Sequence, residues 1–278
     1  MLVADDIGSA EPFRTRAERR RASAIWKEAL GAERRYAASL RKLARSVIDI
    51  IGGFVGGDIE SIAREEIFKL GGVLENYTEA ITPWAQKVAS RMVAEVNARN
   101  KAAWRKATNE MSAEMARIAQ HELTNLDMRV LLAQQVVLIK SIPGEAALKA
   151  HELARIHEEI AIPAVVEGRR PENLVEAVRK IATWTNARPE LIASTEVART
   201  QTVLTQIRAQ RNGFDQYIWR TARDYSVRPA HQRLEGTVHS WNDPPIAEDN
   251  KEQTRHHPGC FPRCRCVAIP IIKDRWAH

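Results

Sequence analysis

Cysteine is scarce in this chain, and its three copies fall together at positions 260, 264 and 266. A set so small and so clustered cannot build the disulfide framework of a secreted protein. No apolar run approaches the roughly 20 residues that a membrane-spanning helix needs; the nearest, Val47 to Val55, is interrupted by Asp49 and a glycine pair. The N-terminus lacks the basic-then-apolar order of a secretory signal. These absences predict a protein of a reducing bacterial cytoplasm with no membrane partner.

Motifs of the common enzyme classes are missing as well. The pairs Gly52-Gly53 and Gly56-Gly57 lack the Lys-Ser/Thr of a nucleotide-binding loop, and there is no nucleophile elbow or recognisable Ser/His/Asp set. Aromatic residues make up only 6% of the chain, whereas Ala, Glu, Arg and Leu recur throughout. This composition is typical of a helix-rich protein. Because the motifs of the common enzyme classes are missing, we expect no enzymatic activity.

The first half of the chain predicts long helices. Apolar residues at spacings of three and four from Ile25 to Ile50 define one face of a helix, which Gly52-Gly53 is expected to end. A second helix is expected from Asp58 to Leu70, ending at Gly71-Gly72, and a third begins after Thr82-Pro83 with an apolar stripe that continues to Ile118.

Further helices are expected up to about residue 213. We predict a break at Ser141–Gly144, a loop around Pro163 and Gly168–Arg170, and a new helix opening at Pro189. After Gly213 the sequence pattern changes from helical spacing to strand and turn signals. Phe214–Arg220 and Val267–Ile272 predict short strands among many turns. The expected fold is mainly α with a C-terminal α+β domain, in which a helical docking or assembly region (1–185) precedes a small turn-rich mixed domain (186–278).

Positive charge is concentrated in two segments. The net charge is +7, and residues 14–45 carry eleven Lys/Arg against three Glu while residues 199–233 carry seven Arg against two Asp, so the remainder sums to −6. Basic segments on an acidic body favour contact with nucleic acid or an acidic protein surface, although such a run is also typical of a solvated helix face. The candidate contact residues are Arg34, Arg35, Arg41, Lys42, Arg45, Arg199, Arg208 and Arg211.

The C-terminal cysteines and histidines form a candidate zinc site. His231, His257, Cys264 and Cys266 make a chemically suitable set of four ligands, with Cys260 as a substitute, because zinc takes thiolate and imidazole in tetrahedral sites. The spacing is irregular, since Cys-x-Cys is shorter than the usual knuckle and no Cys-x-x-Cys supplies the first half. The alternative is that these cysteines are small buried hydrophobes.

Two alternative functions come from other classes. A metal-dependent nuclease would use Asp224, His231, His239, Asn242 and His256-His257, provided that these groups converge in space. A sequence-nonspecific DNA-binding module would use the basic segments for salt-sensitive phosphate contacts.

Several blocks occur in a recognisable order from Ser141 onward. They are Ser141-Ile142-Pro143, Arg170-Pro171-Glu172, Glu190 to Thr200, Trp219 with Asp224 to Val238, and His257-Pro258 with Cys264 to Pro270. In this order they resemble the phage Mu F-like minor head protein family, also called head morphogenesis proteins. The chain departs from the family where many relatives carry Cys-Pro-x-Cys, since Arg228-Pro229-Ala230-His231 stands there, and in the insertion Gly259–Arg263.

The resemblance implies a structural role. A protein of this family is a minor capsid component of a tailed bacteriophage, present in the virion at the capsid interior or portal vertex. Its implied partners are the portal protein or the major capsid or scaffold protein, and packaged DNA. It assists head assembly, DNA packaging or ejection, and the Mu F-like domain would occupy residues 186–278.

Overall fold

The computed structural model of the protein describes residues 29–55, 64–109, 113, 117, 123–156 and 174–272. Within these ranges, five long helices precede a small antiparallel sheet. The helices are α1 (Leu30–Val55), α2 (Arg64–Ala80), α3 (Thr82–Asn109), α4 (Asn125–Ile156), α5 (Leu174–Arg211) and the short α6 (Pro229–Arg233), and the strands are β1 (Gln216–Arg220), β2 (Val238–Ser240) and β3 (Val267–Pro270). No helix in the described part of the chain is long and apolar enough to cross a membrane.

The first helix has the amphipathic character that its sequence predicts. Tyr36, Leu40, Leu43 and Val47 recur at helical spacing, and all are buried in the core of the helical region. The basic side chains of α1 lie on the opposite face, in solvent. Helix α1 packs mainly against α5, and α2 packs mainly against α4, so this core is a helix-on-helix arrangement.

Several of the helix ends that we predicted at glycine and proline are wrong, although α3 begins at Thr82-Pro83 as expected. Helix α4 continues through Pro143, where buried Ile139, Ile142 and Ala146 hold the segment in the core. Tertiary packing therefore outweighs the hydrogen bond that proline removes. In α2, a side chain at Gly71 would meet the His151 ring, so this glycine permits close packing of α2 on α4. Helix α1 likewise continues through Gly52-Gly53, α2 through Gly71-Gly72 and α5 through Pro189.

Buried polar contacts fix the register of the long helices. The Tyr36 hydroxyl donates to the Gln135 side chain at 3.1 Å, and the Gln135 amide donates to Glu196 at 3.1 Å, which links α1, α4 and α5. The Arg208 guanidinium of α5 donates to the side-chain oxygens of Asn97 and Asn100 on α3. Such contacts specify one arrangement, because misaligned helices would leave these groups without partners.

The sheet has the strand order β2-β1-β3, with both neighbours antiparallel to the central strand. Strand β1 is buried at Tyr217, Ile218 and Trp219, and it pairs Trp219 with Ala268 of β3 and Tyr217 with His239 of β2. A second core of mainly aromatic and aliphatic side chains forms around these residues, and Trp104 of α3 joins it. The predicted fold class, mainly α with a small C-terminal α+β part, is confirmed.

The proposed boundary near residue 186 falls inside α5, which packs on both cores. Its N-terminal half contributes Val178 and Ile181 to the helical core, and Ala209 near its C-terminal end joins the sheet core. The division into 1–185 and 186–278 stays a prediction.

Some predicted features lie outside the described residues. They include the apolar stripe at Met111, Met115 and Ile118, the pair Gly56-Gly57, the loop around Pro163 and Gly168–Arg170, and the basic positions from Arg14 to Lys27.

Candidate metal centre

The sheet unit rests on the C-terminal half of α5 through its last long loop. Thr202 donates from its hydroxyl to the Pro258 carbonyl at 2.6 Å, and Arg199 donates to the Cys260 carbonyl at 3.0 Å. The Arg263 amide donates in turn to the Thr195 hydroxyl at 3.1 Å. Because the loop from Pro258 to Arg263 is tied to a rigid helix, the cysteines that follow it have fixed positions.

Two cysteines, a glutamate and a second histidine gather around the buried imidazole of His231. The Nδ1 atom of His231 lies 3.6 Å from Cys264 Sγ and 3.5 Å from Cys266 Sγ. On the other side of the ring, His231 Nε2 lies 3.0 Å from Glu248 Oε1, and the same oxygen lies 3.2 Å from His256 Nε2. We call these five residues the Cys/His cluster.

Each member of the Cys/His cluster is placed by a local structural feature. His231 lies on α6, which begins with Pro229, a residue whose fixed φ suits a first helical position. Cys264 follows Arg263, whose φ of 57° turns the chain, and its amide donates to the Phe261 carbonyl at 2.9 Å. Cys266 directly precedes β3, so the sheet fixes its direction.

The electrostatics of the cluster favour a thiolate at Cys264. A hydrogen bond from the Cys266 thiol, and then the contact with His231, lower the pKa of Cys264 despite its burial. The pKa of Cys266 is raised, first by its bond to Cys264 and then by burial. Burial lowers the pKa of His231, but the contacts with Cys264 and Glu248 outweigh it and raise the pKa overall. The cluster therefore gathers negative charge around one imidazole.

The structure brings together three of the four predicted metal ligands. His231, Cys264 and Cys266 converge, whereas His257 lies elsewhere, with its Nδ1 3.0 Å from the Tyr217 hydroxyl. Burial, and the neighbouring His256, lower the pKa of His257 to about 4. The adjacent His256, rather than His257, faces the cluster. Its ring stacks on Phe261, with the two ring centroids 5.0 Å apart.

The substitute ligand Cys260 also stays outside the Cys/His cluster. Burial raises the pKa of its thiol to about 12. Its carbonyl oxygen, which accepts from Arg199, makes the contact that matters structurally.

Glu248 belongs to the site but is not among the residues predicted from the sequence. This carboxylate contacts both imidazoles of the cluster, and it also lies 3.7 Å from the Arg228 guanidinium. No motif marks Glu248, since it lies in a loop 17 positions from His231. An isolated bridge between Ile246 and Arg255 brings that loop back on itself and places Glu248 beside His256.

The residues of the nuclease alternative do not converge on one point. Asp224 pairs with Arg265, and His239 Nε2 contacts the Thr237 hydroxyl at 2.6 Å. Asn242 accepts from Gln210 of α5 at 2.8 Å. Of the group, His231 and His256 lie together, with ring centroids 5.5 Å apart.

Some of the predicted basic contact residues are exposed without an ion-pair partner among the described residues, and others are bonded to neighbouring polar side chains. Arg208 is buried, at 3% exposure, and is bonded to Asn97 and Asn100, so it does not belong to the exposed set. Arg199 pairs with buried Glu196 at 3.0 Å, and Arg211 pairs with Asp127 at 2.6 Å.

On α1 the five predicted basic side chains are exposed. Arg35 pairs with Glu95, and Arg41 lies 3.3 Å from Glu190. Arg34, Lys42 and Arg45 make no ion pair with any residue that the structure describes. These three lie on the face opposite the core and form what we call the α1 basic face.

The fold and cluster together define a class: a mostly helical protein that carries a small antiparallel sheet unit with a buried Cys/His cluster. Residues 154–269, which include all of α5 and all of the sheet except the last residue of β3, match the family model described as "Phage Mu protein F like protein". This match confirms the resemblance seen in the sequence: residues 154–269 are similar to that family.

Comparison with individual proteins extends the similarity beyond that region. The chain is 26% identical over 227 residues, 80% of its length, to an uncharacterized protein of Haemophilus influenzae. The matched region is 47% of that protein, so the chain spans about half the length of this curated relative. No solved structure matches the chain.

Proposed function

We propose that the protein is a structural minor head protein of a tailed bacteriophage, which acts in head morphogenesis by docking on the portal protein or the inner shell. The observation that carries this proposal is the Mu F-like match over residues 154–269, because head morphogenesis is the role of that family. The uncharacterized relative adds extent to the similarity but no function.

The helical region supports a docking role through its charge. Arg34, Lys42 and Arg45 span eleven positions of α1, which corresponds to about 16 Å of helix. Their side chains are exposed and unpaired among the described residues, whereas Arg35 and Arg41 already have carboxylate partners. Exposed cations on one helix, without a carboxylate partner among the described residues, fit an acidic protein surface or a phosphate backbone.

Copurification with the portal protein tests the docking role. We expect the portal protein to retain the wild-type chain at low salt and to lose it when Arg34, Lys42 and Arg45 are all changed to Glu. A matched control changes the exposed Lys87, Arg91 and Arg105 of α3 to Glu, which alters the net charge equally on another surface. Equal retention of both variants would contradict a role for the α1 basic face, and no retention of the wild type by portal or shell would contradict docking itself.

The DNA-binding alternative is separated from protein docking by its salt dependence. Binding to any duplex would weaken with a log–log slope of about −0.9 for each phosphate contacted, so three contacts would give a slope near −3. Duplex binding of that kind, lost in the Arg34, Lys42 and Arg45 variant, would assign the α1 basic face to packaged DNA.

The nuclease alternative has less geometric support. Asp224, His239 and Asn242 make hydrogen bonds or ion pairs with other residues and do not contact His231. Divalent-metal-dependent cleavage of DNA that disappears in His231→Ala would restore it and would contradict a purely structural role.

A further inference from the structure

We propose that His231 Nδ1 and the sulfurs of Cys264 and Cys266 hold a zinc ion, which staples α6 to the start of β3, and that Glu248 orients the imidazole from its other side. The inference concerns the fold of the sheet unit and does not depend on the head-assembly role. It replaces the four-ligand set expected from the sequence, because His257 lies on Tyr217 and outside the cluster.

The distances within the cluster match those of a zinc site. Zinc–nitrogen bonds of about 2.0–2.1 Å and zinc–sulfur bonds of about 2.3 Å at the tetrahedral angle place nitrogen and sulfur about 3.6 Å apart. The observed separations from His231 Nδ1 are 3.6 Å to Cys264 Sγ and 3.5 Å to Cys266 Sγ. All three ligand atoms lie within 4.8 Å of one another, so a single ion can contact them together.

The second nitrogen of His231 is arranged as it is in metal-bound histidines. Its Nε2 lies 3.0 Å from Glu248 Oε1, so this nitrogen carries the proton that the carboxylate accepts. A neutral ring with its proton on Nε2 presents a lone pair from Nδ1, which points at the two sulfurs. A carboxylate behind a ligating histidine is the usual outer partner of such a site and fixes the tautomer.

The surroundings of the sulfurs also suit a bound ion. Cys264 and Cys266 are 2% and 4% exposed, and Cys264 Sγ accepts a hydrogen bond from the Gly259 amide at 3.3 Å. A buried thiolate needs such compensation, and thiolate with imidazole selects zinc over hard cations.

A fourth ligand position remains for a water molecule. No other carboxylate, thiol or imidazole atom in the described ranges joins the group of His231, Cys264 and Cys266. A small cavity adjoins the ligands and is lined in part by Ser226 and by three arginines, Arg228, Arg263 and Arg265. Of these three arginines, Arg228 faces Glu248, Arg265 pairs with Asp224, and Arg263 is exposed to solvent, so none opposes a cation strongly.

The competing group of His231, Glu248 and His256 is explained without a metal. Both imidazoles approach the same carboxylate oxygen, at 3.0 and 3.2 Å. These are ordinary hydrogen-bond lengths, and a carboxylate can accept from two donors at once. The sulfur side of His231 is therefore the better place for the ion.

Zinc content measured on full-length protein purified without chelator tests the site. We expect about one equivalent per chain, retained in Cys260→Ser and lost in Cys264→Ser and Cys266→Ser. Cys260→Ser is the matched control because it removes the remaining thiol of the chain, which lies outside the ligand group. Less than about a tenth of an equivalent in the wild type, or zinc that persists when either ligand cysteine is changed, would overturn the proposal.

A measurement on the wild type covers the case in which the serine variants do not fold. Cobalt substituted for zinc should show thiolate-to-metal charge-transfer absorption and the intense visible bands of a tetrahedral site. The same spectrum in His256→Gln would confirm that His256 is not a ligand. A cobalt spectrum without thiolate bands, or one abolished in a folded His256→Gln, would overturn the assignment to the cysteines.

Discussion

Replacing Gly259 by alanine would add a methyl group where the last loop touches α5. Gly259 has a φ of +79°, and a Cβ there would lie 3.2 Å from the Ala198 carbonyl oxygen, the Cys266 carbonyl oxygen and the Thr202 hydroxyl. The left-handed backbone alone costs an alanine about 1–2 kcal/mol. Displacing two backbone segments to relieve the contacts adds about 1–3 kcal/mol. We therefore expect Gly259→Ala to lower the free energy of unfolding by about 2–5 kcal/mol.

Gly236 provides a matched control for this change. Its φ of +80° is nearly the same, but a Cβ there meets nothing within 4 Å. Gly236→Ala should therefore lose only the backbone part, about 1–2 kcal/mol. Urea unfolding followed by tryptophan fluorescence, to which buried Trp219 and Trp241 contribute, compares the two variants. If Gly259→Ala costs no more than Gly236→Ala, the loop does not pack on α5 as described.

Further predictions concern the polar contacts of the two cores. Arg208→Ala should lower the free energy of unfolding by about 3 kcal/mol, because it removes the charged donor to the Asn97 and Asn100 side chains. Arg45→Ala, at an exposed position, should change it by less than about 0.5 kcal/mol. Chemical denaturation measures both free energies, and equal effects would contradict the burial of Arg208. Glu235 is partly buried, which raises its pKa, but hydrogen bonds from Thr221 and the neighbouring arginines outweigh this and lower the pKa. Its stabilising effect is therefore full above the unfolded pKa of about 4.3 and is lost as the pH falls through the lower folded pKa. Glu235→Gln should cost about 2 kcal/mol at pH 7 and progressively less below pH of about 4, and a cost that is independent of pH would show that the charge does not matter.

The sequence predicted the amphipathic elements well, because periodic apolar residues report directly on burial. The face of α1 that carries Tyr36, Leu40 and Val47 is buried as expected, and β1 occurs where a strand was predicted, although Ile218 between Tyr217 and Trp219 is buried as well. Helix ends were predicted poorly. Pro143 and Pro189 are local signals, but they act on helices whose neighbours supply enough packing to continue through them.

The candidate site was predicted in part for the same reason. His231, Cys264 and Cys266 stood out by residue type, and the fold brings them together. His256 and His257 are adjacent in the chain, so only the path of the loop decides which ring faces the cluster. Glu248 carries no local signal, since its role depends on a bridge between Ile246 and Arg255 that brings distant residues together.

The central claim, that the protein is a structural component of a phage head, is tested most directly by mass spectrometry of purified particles from the phage that encodes it. The account predicts peptides of this chain in procapsids, at a constant ratio to the portal protein through purification and high-salt washing. Its absence from both procapsids and filled heads, while the chain is present in the infected cell, would contradict the account.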